Sequence, residues 1–280
     1  MIEIGKENAL AIIKKVDFGL YLDGKGQDDI LLPRRYAPKD SQVGDELNVF
    51  IYLDSEDRII ATTETPYAEV GKTAHLEVVA TGNFGAFLDW GLAKDLLVPF
   101  KEQRIPMLRG KSYSVFVFLD VTGRISASSK LSRYLEEENH GVFTLDEKVN
   151  LQIVSRSDLG YKAVINDTHL GLIHSSDLLQ PINIGDKLVG YIRQIREDDR
   201  INLSLQERGE AVVDNLAQNI LEFIESEGGS SDITDKSSPD LIYQLFKVSK
   251  SNYKKALGKL YTDKKILIED GLVKIVKSLS

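Results

Sequence analysis

At 280 residues, with 42% hydrophobic and 28% charged side chains, the chain is too long for one comfortable core and apolar enough to fold throughout, which excludes disorder and suits two to four compact domains. The absence of Cys excludes disulfides, thiolate metal sites and Cys nucleophiles together, and fits a reducing compartment. A net charge of −8 argues, as an average, against binding phosphate, but the charge is unevenly spread.

Residues 1–70 hold 8 basic and 14 acidic side chains (−6), 71–132 hold 8 and 5 (+3), 133–208 hold 9 and 13 (−4), and 209–280 hold 10 and 11 (−1). Within the last block, Lys247 to Lys265 contains seven Lys against Asp263 alone. No run of about 18 apolar residues occurs, and Met1 to Leu10 carries Glu3, Lys6 and Glu7 where a signal peptide needs an apolar stretch. A cytoplasmic protein is expected.

The first predicted strands are Ala9 to Val16, Leu20 to Asp23, Asp29 to Leu32, Glu46 to Leu53 and Arg58 to Thr62, separated by turns rich in Gly, Asp and Pro. Phe18-Gly19, between the first two, recurs as Phe84-Gly85 and Leu159-Gly160, and three copies of a longer pattern stay in register behind it. Fourteen residues after each Gly an apolar triplet ends, at Pro33, Pro99 and His174; eleven further on stands Gly44, Gly110 or Gly185. An Arg follows 14, 14 or 15 residues later, as Arg58, Arg124 and Arg200, and four beyond it a hydroxyl, Thr62, Ser128 or Ser204. Five short strands in roughly 60 residues cannot make two good sheets, so closing into a small barrel is the economical way to remove exposed edges. The glycine at the head of each copy is read as the coil or bulge that a tightly curved strand needs.

Ala211 to Ser226 places apolar residues at 212, 213, 216, 217, 220, 221, 223 and 224, a helical stripe that ends at Gly228-Gly229. A second helix opens at Ser237-Ser238-Pro239-Asp240, with a capping hydroxyl and Pro in its first turn, and is expected to bury Leu241, Ile242, Leu245 and Phe246. A third follows Ser249, turning Tyr253, Ala256, Leu257 and Leu260 inward and Ser251, Lys255, Gly258 and Thr262 outward, flanked by Lys254 and Lys259. A hairpin from Ile266 to Val276 turns at Asp270-Gly271. Three helices and a hairpin, with the third helix basic, make a winged helix-turn-helix.

The expected architecture is mainly β with a C-terminal α/β module. Three tandem five-stranded barrels of the oligonucleotide-binding (OB) type occupy 1–68, 69–132 and 148–208, a linker 133–147, and the winged helix 209–280. The third unit, with Gly171-Leu-Ile-His174-Ser-Ser-Asp-Leu178, Gly185-Asp186 and Arg200-Ile-Asn-Leu-Ser204, resembles the S1-type RNA-binding domain. The first two resemble it more loosely, with Pro33 and Pro99 in place of His174. Thr234-Asp-Lys-Ser-Ser-Pro-Asp240 and Ser249-Lys-Ser-Asn-Tyr-Lys-Lys-Ala-Leu-Gly-Lys-Leu260, placed after three such barrels, closely resemble the conserved virulence factor B family, and that resemblance covers essentially the whole chain. It implies a bacterial RNA-binding regulator with S1-type barrels and a winged helix, acting on virulence-related expression.

Binding a single strand on a barrel needs aromatic faces for bases and cations for phosphates, each stacked base contributing about 1–3 kcal/mol. The candidates are Phe18 with Tyr21, Phe84 with Phe87, and Tyr161 with Lys162, although one aromatic of each pair stands equally as barrel core. His174 matches the S1-type His at the end of the third strand, where it could stack or donate to phosphate. Arg58 and Arg200, crowded by Asp54, Asp57, Asp198 and Asp199, read as surface ion pairs; for Arg124, less crowded, phosphate contact and ion pairing stay open. Lys250, Lys254, Lys255, Lys259, Lys264 and Lys265 are the strongest candidates, because so much like charge on one face is costly without an anionic partner. Trp90 reads as a loop anchor or a stacking platform.

Glu136-Glu137-Glu138 and Asp28-Asp29 read as solvated charge. His75, His140, His169 and His174 lack metal spacing, and no phosphate loop or Ser nucleophile motif occurs, so neither metal, cofactor nor catalysis is expected. The expected function is non-catalytic binding of single-stranded or structured RNA, with no membrane partner and with the acidic first barrel open as a protein-docking or spacer unit. Two alternatives remain: a winged-helix transcription regulator reading duplex DNA, and an accessory subunit of an RNA-processing enzyme.

Overall fold

The computed structural model describes residues 1–26, 28–207, 209–269 and 271–276; the turn residue Asp270 lies outside them. Three five-stranded units follow one another: β1–β5 (Glu7–Val16, Gly19–Leu22, Ile30–Pro33, Glu46–Leu53, Ile59–Thr62), β6–β10 (Thr73–Gly82, Gly85–Leu88, Leu96–Pro99, Ser112–Leu119, Ile125–Ser128) and β11–β15 (Lys148–Arg156, Gly160–Ile165, His169–His174, Lys187–Ile195, Ile201–Ser204). Each long first strand pairs antiparallel with the second and fourth strands of its unit, which is how a single strand bends round a small barrel.

The repeated residues are the joints of this construction. Gly19, Gly85 and Gly160 sit where the second strand crosses closest to the third; a Cβ there would meet the backbone oxygen of Leu32, Val98 or Ile173 at 2.3, 2.1 or 2.0 Å. Of the two readings of these glycines, coil or bulge, the bulge lies elsewhere, on the first strand, whose register shifts between Ile12 and Lys14, Val78 and Ala80, and Ile153 and Ser155. Curvature is taken up by the long strand, and the glycine admits the close approach that curvature produces. Gly44, Gly110 and Gly185 adopt φ of +98°, +75° and +99°, and each donates its N–H to the carbonyl before the bulge (Ile12, Val78, Ile153) at 2.8 Å. Thr62, Ser128 and Ser204 are buried, and their hydroxyls accept the N–H two residues on, of Glu64, Lys130 and Gln206, at 3.0–3.1 Å. The hydroxyl ends the fifth strand by offering the backbone a turn.

The first and third units are closed barrels, sealed by parallel pairing of β3 with β5 and of β13 with β15. The second is an open five-stranded sheet in the order β10-β9-β6-β7-β8. At that seam the Gln103 amide donates to the Val98 carbonyl at 3.0 Å, taking an acceptor of β8 with a side chain. Alternate residues fill each interior: Leu20, Leu22, Ile30 and Leu32 in the first unit, Ala163, Ile165, Ile173 and Leu203 in the third.

The units are packed rather than strung together. Phe50 and Tyr52 of β4 join Ala68 and the core of the second unit, and Trp90 meets Phe50 edge to face at 5.7 Å while its indole N–H donates to the Lys94 carbonyl at 2.6 Å. Trp90, 3% exposed, is therefore a loop anchor. Between the second and third units Leu135, Val154, Val164 and Leu170 cluster with Phe116 and Leu131. Gln152 spans from β11 to β6, donating to the Thr73 carbonyl at 2.9 Å and accepting from the His75 N–H at 3.1 Å in the amide orientation that satisfies both. The stretch between Arg133 and Lys148 belongs to this packing: Tyr134 stacks on Phe116 at 5.2 Å, the backbone of Glu136 pairs with that of His169 and the backbone of Glu138 with that of Arg200, and Phe143 enters the third core.

The C-terminal region forms α1 (Glu210–Ser226), β16 (Ser230–Ser231), α2 (Pro239–Phe246), α3 (Lys250–Thr262), β17 (Ile266–Glu269) and β18 (Leu272–Ile275). The Ser238 and Ser249 hydroxyls cap α2 and α3, accepting from the Leu241 and Asn252 N–H. Tyr253, Ala256, Leu257 and Leu260 are buried as their spacing predicts, and β16 adds a third strand beside β18 that no periodicity signalled. Leu241 and Leu245 are 38% and 42% exposed instead of buried. Ile242 and Phe246 take the inward face, Phe246 lying 5.2 Å from Phe223 and 5.0 Å from Tyr253, so residues one step earlier point away from the bundle. No helix among the described residues is long and apolar enough to cross a membrane.

Gly85→Ala should destabilise the chain by about 2–4 kcal/mol, since backbone must move, whereas Gly110→Ala, with φ +75° but open space around it, should cost about 1–2 kcal/mol; urea unfolding followed by Trp90 fluorescence separates the two. Burial at the interface pushes the His75 imidazole below its ordinary 6.5. Its neutral form is favoured in the folded state, so its contribution is intact above about pH 6.5 and lost as pH falls further. Once the slower intrinsic exchange at lower pH is allowed for, the protection of the Thr73 to His75 amides should fall on acidification, and less so in His75→Gln.

Candidate nucleic-acid interface

The anchor positions Phe18, Phe84 and Leu159 precede the second strands and are 58%, 75% and 65% exposed. Large apolar groups held in water at one corner of each barrel are what a base-stacking surface requires. Tyr21 and Phe87 follow on the outer face of β2 and β7, half-buried, and Phe18 meets Tyr21 edge to face at 6.3 Å. In the third unit the pattern changes. Register aligns Lys162, not Tyr161, with Tyr21 and Phe87. Tyr161 packs on the core beneath, with Arg156 over its ring at 5.5 Å.

Pro33, Pro99 and His174 pair with the anchor glycines. His174 is partly exposed at the end of β13, where the chain turns into a short 3-10 segment. The residue after it shows what sequence reasoning missed. Phe100, immediately behind Pro99, is 59% exposed and its N–H donates to the Phe84 carbonyl at 3.2 Å, so the second unit carries Phe84, Phe87 and Phe100 together. Its signal was an aromatic at the step where the other copies have Arg34 and Ser175.

The repeated arginines are spoken for. Arg58 is held by Asp54 at 2.8 Å and Glu56 at 3.0 Å. Arg124 pairs with Asp57 of the first unit, and Arg200 with Glu137 at 3.5 Å. Glu137 also holds Lys162 at 3.2 Å, so the acidic triplet is not wholly solvated. Phe87 and Arg124 do come together, lining a cleft of about 410 Å³ with Pro99 and Lys94, but Asp57, Asp95 and Asp120 line it too.

On α3 and in the turn that follows it the cations divide. Lys250 donates to the Ser237 carbonyl at 2.9 Å and Lys259 pairs with Asp214 of α1. Lys254, Lys255, Lys264 and Lys265 are exposed and make no ion pair among the described residues. Ser251, Gly258 and Thr262 complete the exposed face of the helix that a winged helix offers to a groove. Tyr243 of α2 donates to Gln180 at 2.9 Å, joining this module to the third barrel.

Small β-barrels of this topology in series, followed by a winged helix, define a multidomain protein of the nucleic-acid-binding class. The family model for an S1 domain matches residues 4–64 and 70–130, and that for a CvfB-like winged helix domain matches 218–275. The S1 matches fall on the two units that the sequence pattern ranked as the looser copies. YitL of Bacillus subtilis is 32% identical over 281 residues, covering 95% of this chain and 92% of that protein. Conserved virulence factor B of Staphylococcus epidermidis is 28% identical over 247 residues, covering 85% and 82%. A crystal structure described as a multidomain protein with nucleic acid binding domains from Streptococcus pneumoniae TIGR4 aligns over 98% of both chains, at 25% identity and a TM-score of 0.41. The chain belongs to the conserved virulence factor B family.

Replacing Phe84 and Phe100 together by Ala should leave stability within about 0.5 kcal/mol, as both rings are largely in water. Affinity for a single-stranded oligonucleotide should fall by about 1–3 kcal/mol for each base unstacked, read by fluorescence anisotropy.

Proposed function

We propose that this is a cytoplasmic, non-catalytic RNA-binding protein that regulates gene expression after transcription, as the name of its staphylococcal relatives suggests for a virulence-associated regulator. The observation that carries the reading is the exposed Lys254 and Lys255 of α3, with Lys264 and Lys265 just beyond it, which make no ion pair among the described residues while the arginines of the repeat are paired to carboxylates. Free cations of this kind release counterions on meeting phosphate and supply most of the affinity. The exposed aromatic corners of the barrels add base stacking, a mode that suits single strands. Joining the modules on one chain turns modest contacts into useful affinity, because the second engagement is intramolecular.

The acidic first barrel fits a spacer or protein-docking role better than a phosphate site, its Arg58 being satisfied by its own turn. Its Phe50 and Tyr52 belong to the core of the second unit, so it also serves as a structural support.

Lys254→Ala with Lys255→Ala should weaken binding to single-stranded RNA and lower the slope of log K against log salt by up to about two. An unchanged slope would remove α3 from the interface. Matched RNA and duplex DNA in a gel-shift series test the RNA reading, and tighter duplex DNA binding would replace it with transcription regulation. Incubation with labelled RNA and Mg²⁺ tests the absence of catalysis; cleavage that survives further purification would make the protein an enzyme.

A further inference from the structure

A cleft of about 730 Å³ lies between the second and third barrels, away from α3. Arg104, Lys130, Arg133 and Lys162 line it against a single carboxylate, Glu137, in a chain whose net charge is −8. Arg104 makes no ion pair among the described residues. Among the described residues the Lys130 ammonium donates only to the Lys101 carbonyl, at 2.6 Å, which orients it without neutralising it. Arg133 is held through one nitrogen, Nη1, by the buried Glu102, so Nη2 and Nε keep their donors. The hydroxyls of Ser112, Ser132 and Ser155 stand on the same walls. Converging cations and hydroxyls are the donor set that binds phosphate oxygens.

The cleft is also rigid and roomy. Leu131, Val154 and Leu170, from the cluster that packs one barrel on the other, line it, and the Arg104 N–H is pinned to the Ser129 hydroxyl at 2.8 Å. Ile105, 59% exposed, and Tyr113 supply apolar surface beside the cations, so the space suits a nucleotide unit better than a bare anion.

We propose that this cleft is a phosphodiester site that carries the backbone of a single-stranded nucleic acid from the second barrel to the third. The proposal rests on the nucleic-acid reading above. Glu137 is its internal competitor: it occupies the Lys162 ammonium of the cleft in the free protein and yields it to phosphate on binding.

The test uses the full chain and a fluorescein-labelled oligouridine of about 30 nucleotides, long enough to span several barrel sites. Arg104→Gln with Lys130→Gln should weaken binding roughly tenfold at low salt and lower the salt slope by about two. Glu137→Gln should tighten binding severalfold, an effect that damage to the fold does not imitate. If the wild-type chain binds the oligouridine but neither variant shifts affinity or slope, the cleft lies off the path and the proposal is overturned, while RNA binding through α3 stands. If the wild-type chain does not bind, the RNA reading itself fails and takes the proposal with it.

Discussion

The close crossing of the second and third strands in each barrel is the constraint on which the rest depends. Backbone oxygens stand where a Cβ would be, about 2 Å away, so the position tolerates glycine alone. That crossing exists because the first strand bulges and bends to pair with two neighbours, and the next glycine of the pattern donates to the carbonyl just before the bulge. Bulge, crossing and turn form one device, used three times. Directly before the crossing the chain must turn in solvent, which is why the exposed Phe18, Phe84 and Leu159 share a corner of their barrels.

Stacking the barrels then decides which charges remain available. Asp57 of the first unit reaches Arg124 of the second, and Glu137, from the stretch between units, reaches Lys162 and Arg200 of the third. Each ion pair is partly exposed and contributes little to stability, about 0–1 kcal/mol. Their consequence is electrostatic: the acids that make the chain negative cancel the arginines of the repeat, while Lys254, Lys255, Lys264 and Lys265 and, in the inter-barrel cleft, Arg104 and Lys130 make no ion pair among the described residues. Net charge thus misleads, because what a phosphate meets is local charge after pairing.

The winged helix shows how a short sequence pattern divides its face. Ile242 and Phe246 are drawn inward by Phe223 and Tyr253, and Tyr253 donates its hydroxyl to the Ile233 carbonyl at 2.9 Å from full burial. Burial pushes that phenol up, keeping it neutral. Leu241 and Leu245, equally apolar, stay outside because an eight-residue helix touching its bundle along one stripe buries only about every third or fourth side chain.

The sequence by itself determined the repeat, the five strands of each unit, the capping hydroxyl of α2 and the inward face of α3, because these are set by spacing along one chain and by residues that only one backbone geometry admits. It also located the exposed corner aromatics and the lysine run. It did not determine which cations are free, that Tyr161 turns to the core while Lys162 takes the outer face, that Trp90 anchors one barrel on another, or that Arg104, Lys130, Arg133 and Lys162 share a cleft. Those depend on groups far apart in the chain, and an ion pair between Asp57 and Arg124 or a wall made from two barrels leaves no periodic mark. Only the tertiary structure decided them, since charge pairing and shared cavities follow distance in space.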